Sequence, residues 1–136
     1  MRAHEHLLFG MDIPIARMLG ITGQSLGNDM ATVMLPYQVD ASNSRGEIGG
    51  GAIATALDLA LAASVRAHDP DNYSVSTVEL TSHFLSSCTG DLTVQARCTR
   101  RGGRICFAQG EALDAAGRLV ATASGVFVLN ARSLTR

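Results

Sequence analysis

Apolar and polar residues alternate along this chain in two different rhythms. From Ala52 to Val65 every position is apolar except Thr55, Asp58 and Ser64, and that Ala- and Leu-rich composition favours helix. Gly49, Gly50 and Gly51 are tolerable only as a break or a start, so they mark the N-terminus of a helix predicted over residues 50–67. A helix apolar on all sides has to be wrapped by other structure. From Tyr73 onward the period becomes two. Tyr73–Leu85, Asp91–Arg100, Arg104–Leu113 and Arg118–Leu129 read as four strands separated by glycine-containing turns. In the second, Leu92, Val94, Ala96 and Cys98 share one face; in the last, Leu119, Ala121, Ala123, Gly125, Phe127 and Leu129 do. Ahead of the long helix, Asp12 is a candidate cap for a short helix ending at Leu19 with Gly20 as its stop. Ile21–Leu26 and Met30–Leu35 then flank a Gly27-Asn28-Asp29 hairpin turn, and Pro36 ends the second of them. Ala131 to Arg136 read as a frayed tail. The pattern predicts an α+β domain over residues 1–136, one curved antiparallel sheet of five to six strands around a central helix, with the last four strands as a meander.

The one acid inside the apolar helix changes this from an architectural reading to a chemical one. An unpaired carboxylate in apolar surroundings costs several kcal/mol, so Asp58 needs a partner, a wet cleft or a function. The helix is no membrane span, because its apolar run is shorter than the roughly 20 residues a bilayer requires and Asp58 interrupts it. A net charge of -1 argues against general nucleic-acid binding. All 11 basic residues are arginine, which reads as composition bias. Cys88, Cys98 and Cys106 have neither disulfide-framework nor zinc-ligand spacing, and no secretory leader is visible, so a reducing, cytoplasmic setting is expected.

Other candidate chemistry is weaker. His4 and His6 lack a third ligand, so no metal site is expected. The triple glycine lacks the Gly-Lys-Ser/Thr ending of a phosphate loop, and no G-x-S-x-G elbow is present. His83 is isolated on a strand and reads as packed rather than catalytic. The Arg100-Arg101-Gly102-Gly103-Arg104 turn offers Arg101 and Arg104 as phosphate forks, with a solvated hairpin tip as the rival reading.

A helix wrapped by a long antiparallel sheet is the hotdog arrangement, and from Ile13 to Leu129 the chain resembles the phenylacetic-acid-type (PaaI-like) hotdog acyl-CoA thioesterases. The residues carrying the resemblance are Asn43, Gly46, the Gly49-Gly50-Gly51 helix start and Asp58, followed by the Ser76-Thr77-Val78-Glu79 strand. It implies that Asp58 is the catalytic acid, that the Gly50 N–H is the oxyanion donor with Asn43 in support, and that Gly49, Gly51, Ser76 and Thr77 contact substrate. It further implies a homodimer assembling to a homotetramer, with coenzyme A entering only as part of the substrate. The family's histidine at the helix entry is here Gly49. A backbone donor at a helix N-terminus survives that change. The alternative to hydrolysis is a non-catalytic acyl-CoA or aromatic-ligand binding protein; a hydratase lacks its helix-entry motif.

Thioester hydrolysis needs an activated water or a carboxylate nucleophile, plus donors aimed at the developing oxyanion. On one helix Gly50 and Asp58 stand about 12 Å apart, at 1.5 Å per residue. One carbonyl cannot reach both on the same chain, so two antiparallel helices from two subunits are expected to share each site.

Overall fold

The computed structural model describes residues 7–132. Its elements are α1 (Pro14–Leu19), β1 (Thr22–Gly27), β2 (Met30–Leu35), a single 3-10 turn (Val39–Ala41), α2 (Gly50–Val65), β3 (Tyr73–Phe84), β4 (Leu92–Arg101), β5 (Ile105–Leu113) and β6 (Leu119–Ala131). The strands form one six-stranded sheet in the order β1-β2-β4-β5-β6-β3, antiparallel at every pairing. This is the hotdog fold, with α2 lying on the concave face.

Local chemistry explains most boundaries. Asn28 and Asp29, at φ 54 and 60, both adopt the left-handed region that a two-residue hairpin turn requires, so β1 folds directly onto β2. Gly20 ends α1 at φ 71, where its N–H reaches the carbonyls of Ala16 and Arg17. Asp12 does not cap that helix: Ile13 is the N-cap, without a side-chain bond, and the Asp12 carboxylate pairs with Arg17.

The expected four-strand meander is corrected to three. β4, β5 and β6 follow one another, but β3 lies at the far edge, beside β6. The reason is that β4 is occupied on both sides: β2 pairs along it from Met30↔Arg97 to Leu35↔Leu92, and β5 takes the other edge. β3 finds instead the one strand of matching length, running from Tyr73↔Ala131 to Phe84↔Ala121. Ala131 thus belongs to a strand rather than to a tail. His4, His6 and residues 133–136 lie outside the described residues.

The core lies between α2 and the inward rows of the sheet. Leu92, Val94 and Ala96 of β4, Cys106 and Ala108 of β5, and Ala121, Ala123 and Phe127 of β6 are all buried there. From α2, Ile53, Ala56, Leu57, Ala60 and Leu61 point into them. The approach is close at Gly110, where an added Cβ would stand 2.7 Å from Leu61 Cδ1 and 2.8 Å from the Gln95 carbonyl. Beyond the helix, Arg66 is 4% exposed and binds the carbonyls of Leu8, Phe9 and Pro70, tying the N-terminal segment to the loop after α2. Burial holds its guanidinium below the usual arginine pKa, with Arg132 pushing the same way and Asp71 opposing.

The helix is not covered all round. Gly51, Ala54, Thr55, Asp58 and Ala62 form one stripe that a single chain leaves at least partly open. Apart from Asp58 and Thr55, that stripe is Ala and Gly, so the composition that suggested burial on every side records an open face made of small side chains.

Candidate active site

The open stripe of α2 carries two features with chemistry to offer. At its head, Gly49 is the N-cap at φ -67 and ψ 144, and its N–H is taken by the Ala41 carbonyl at 2.9 Å. The N–H groups of Ala52 and Ile53 turn back to the Gly49 carbonyl. Those of Gly50 and Gly51 have no acceptor among the described residues, as the first turn of a helix dictates. Both glycines are exposed, so unengaged donors and the positive end of the helix dipole face outward together.

Two turns further on, Asp58 is half-buried. Its carboxylate Oδ1 accepts a 2.7 Å hydrogen bond from Thr77 Oγ1. Thr77 pairs with inward-facing Phe127, just before the bulge between Thr77 and Glu79. This fixes one carboxylate oxygen and leaves Oδ2 without a partner among the described residues. A carboxylate held this way can take a proton from water or attack a carbonyl carbon.

The expected polar residues divide. Thr77 joins Asp58. Ser76, one residue away on an alternating strand, looks to the opposite face, where its hydroxyl accepts from Asn130 Nδ2 at 3.2 Å, so its expected place at the site is corrected. Asn43 uses its side-chain oxygen to build the loop ahead of α2, accepting from the N–H groups of Arg45 and Glu47 at 2.9 and 3.1 Å. Its Nδ2 donors have no acceptor among the described residues. Arg101 is corrected as well. Its guanidinium donates to the Val65 carbonyl from Nε at 3.1 Å and Nη2 at 2.9 Å, and Nη2 pairs with Asp29 at 2.9 Å. It caps the C-terminal end of the helix and is not available as a phosphate fork. Arg104 is exposed on the same turn, at the opposite end of α2 from Gly50. Among the described residues, no cluster of His, Cys, Asp and Glu could hold a metal ion, and no helix is long and apolar enough to cross a membrane.

A family model described as the thioesterase superfamily matches residues 46–121, which include the glycine helix start, Asp58 and Thr77. The chain belongs to the thioesterase superfamily. Among solved structures, this thioesterase is similar to a phenylacetic-acid-degradation-related protein of Ralstonia eutropha, with 30% identity, a TM-score of 0.78, and coverage of 85% of this chain and 90% of that one. The E. coli PaaI protein from the phenylacetic acid degradation operon shares 21% identity at TM-score 0.78, covering 86% of this chain and 84% of its own. A thioesterase family protein from Silicibacter pomeroyi shares 21% at TM-score 0.82, with 88% and 91% covered. No curated protein matches the chain in sequence. The thioesterase is thus of the PaaI-like hotdog kind. Its own departure is Gly49, where the resemblance expects a histidine. A Cβ there would stand 3.2 Å from the Ala41 carbonyl, a close contact with the same oxygen that accepts the Gly49 N–H.

Proposed function

We propose that this thioesterase hydrolyses acyl-CoA thioesters to free acid and coenzyme A. The observation that carries the reading is the pairing of Asp58, aimed by Thr77, with the unengaged donors at Gly50 on one open face of α2. In the proposed site the Gly50 N–H binds the carbonyl oxygen as it becomes an oxyanion, and the Asn43 amide supports it. Asp58 delivers water or attacks directly. The reaction draws on no cofactor beyond the coenzyme A of the substrate.

The spacing of about 12 Å between the two groups along one helix requires a second chain. A two-fold homodimer with antiparallel α2 helices brings Gly50 of one protomer opposite Asp58 of its partner, and the Gly and Ala of the open stripe let the backbones approach. The C-terminal end of the partner's helix then lies about 10 Å beyond Gly50. On this reading the partner's Arg104 is the candidate for the coenzyme A phosphates. Two such dimers would form the homotetramer, a soluble assembly of the cytoplasm.

The test is thiol release from a panel of short, medium, long and aromatic acyl-CoAs. Asp58→Ala should abolish release. Gly50→Pro should also abolish it without loss of fold, because proline is favoured at the first helical position and removes the N–H. Mixed Asp58→Ala and Gly50→Pro subunits should recover activity by forming one intact site per dimer. No recovery in verified heterodimers would sink the shared site. One observation, Gly49, favours a second reading: a protein that binds acyl-CoA without turning it over. Saturable binding with no thiol release from the wild type would establish that instead.

A further inference from the structure

Phe84, the last residue of β3, pairs with buried Ala121 and so presents its ring to the concave side of the sheet, yet the residue is 52% exposed. What it stands against is the head of α2. A Cβ added to Gly50 would lie 3.7 Å from the ring's Cζ, and 3.8 and 4.0 Å from its Cε atoms. On the neighbouring residue the Ala41 carbonyl comes to 3.2 Å of a Cβ built at Gly49, whereas one built at Gly51 meets nothing within 4 Å. The ring therefore flanks Gly50 on one side, and the space over Gly51 is open.

Resting on the hydrolysis reading above, we infer that Phe84 is a specificity-determining residue for the acyl group, selecting acyl chains unbranched at the carbon next to the thioester. A carbonyl oxygen bound at about 2.9 Å from the Gly50 nitrogen puts the carbonyl carbon and its α-carbon one and two bonds further out. The ring, in van der Waals contact with the Gly50 Cβ position, stands within a few ångströms of that path. A methylene or a planar sp2 carbon lies flat along the ring and gains contact with it. A methyl branch pointing to the ring side would need about 3.5–4.0 Å to the ring carbons, so a branched acyl chain has to shift towards the open side over Gly51. The fixed backbone donor makes the ring decisive, since the substrate cannot move away without losing its oxyanion contact.

The experiment compares matched pairs, butyryl- with isobutyryl-CoA and octanoyl- with 2-methyloctanoyl-CoA, in the wild type, Phe84→Leu and Phe84→Ala. In the wild type, kcat/KM should favour the straight chain by about tenfold or more, the scale on which one misplaced methyl is discriminated in an apolar pocket. Phe84→Ala should bring the ratio near one by gain on the branched substrate, and Phe84→Leu should fall between. A wild-type ratio near one, or a ratio that survives Phe84→Ala while both rates fall together, overturns the inference and leaves the hydrolysis reading standing. If the wild type releases no thiol from any substrate, the hydrolysis reading fails separately. The same pairs as ketone analogues, with a methylene in place of sulfur, then decide by calorimetric affinity: straight-chain preference lost in Phe84→Ala upholds the role of the ring, and equal wild-type affinities overturn it.

Discussion

Arg101→Ala separates a helix cap from a phosphate ligand. In the structure the guanidinium is 20% exposed and gives two hydrogen bonds to the Val65 carbonyl, at 3.1 and 2.9 Å, with a longer one to Ser64 at 3.4 Å. Val65 and Ser64 are fully buried, so water cannot replace the lost donor cheaply. A hydrogen bond from a charged group contributes about 1.5–3 kcal/mol net. The two bonds share one acceptor, and the Asp29 pair adds under about 1 kcal/mol because its carboxylate is 50% exposed. The loss should come to about 2–3 kcal/mol. At a urea dependence of roughly 1–3 kcal/mol per molar, the unfolding midpoint should fall by about 1 M at fixed protein concentration. Arg101→Lys should recover only part of it, since an ammonium cannot fork across two carbonyls. In the same preparations, KM for an acyl-CoA and for the corresponding acyl-pantetheine, which lacks the nucleotide phosphates, should stay in the wild-type ratio. An unchanged midpoint together with KM raised for acyl-CoA alone would refute the capping argument.

Other expectations follow from particular contacts. Thr77→Val removes the donor to Asp58; kcat should drop by about tenfold, the equivalent of 1.4 kcal/mol, with KM little changed, and Thr77→Ser should restore most of it, whereas a full-strength Thr77→Val enzyme would remove Thr77 from the mechanism. Gly110→Ala drives a methyl to within 2.7 Å of Leu61 and 2.8 Å of a backbone carbonyl, and should lower stability by about 1–3 kcal/mol in chemical denaturation. Asp114 has its carboxyl held below its usual 3.8 chiefly by the Arg118 N–H, against desolvation, with the Ala116 N–H and the Arg118 side chain adding to the lowering. Its folded pKa is depressed, so its stabilisation is present above that range and lost as pH falls through it. The stability difference between the wild type and Asp114→Asn should accordingly be constant near neutrality and shrink as pH falls through and below the ordinary carboxylate range, and a difference that persists undiminished in acid would contradict the assignment.

How much was legible in the sequence depended on whether the information was local. The alternation that puts Leu92, Val94 and Ala96 inward and the helix chemistry of residues 52–65 are properties of neighbouring residues, and both appear in the structure. Asp58 stood out because an acid among alanines and leucines has a cost that needs a cause. Strand order is not local: nothing within Tyr73–Phe84 says that its partner is β6 rather than β4, since that depends on β2 claiming the edge of β4. Thr77 and Ser76 were equal candidates as hydroxyls; the inward phase of Tyr73 and Val75 was the available signal that favours Thr77. Arg101 was misread because a cap depends on where a distant helix ends. Phe84 was missed because its significance is its distance from Gly50, which no spacing encodes.

The position of β3 also governs the order in which the molecule can be completed. Translation delivers β3 early, but its partner β6 comes about 40 to 60 residues later, after the hairpin of β4 and β5 has been made. Until then β3 is an apolar-faced strand with both edges open, beside a helix whose floor is half built. Such long-range pairing is slow to form, and unpaired edges are where nascent chains associate wrongly. A chain shortened within β6 would leave β3 without its neighbour and β5 paired on the β4 side alone, so loss of the last dozen described residues should harm synthesis of the folded protein more than loss of α1 does.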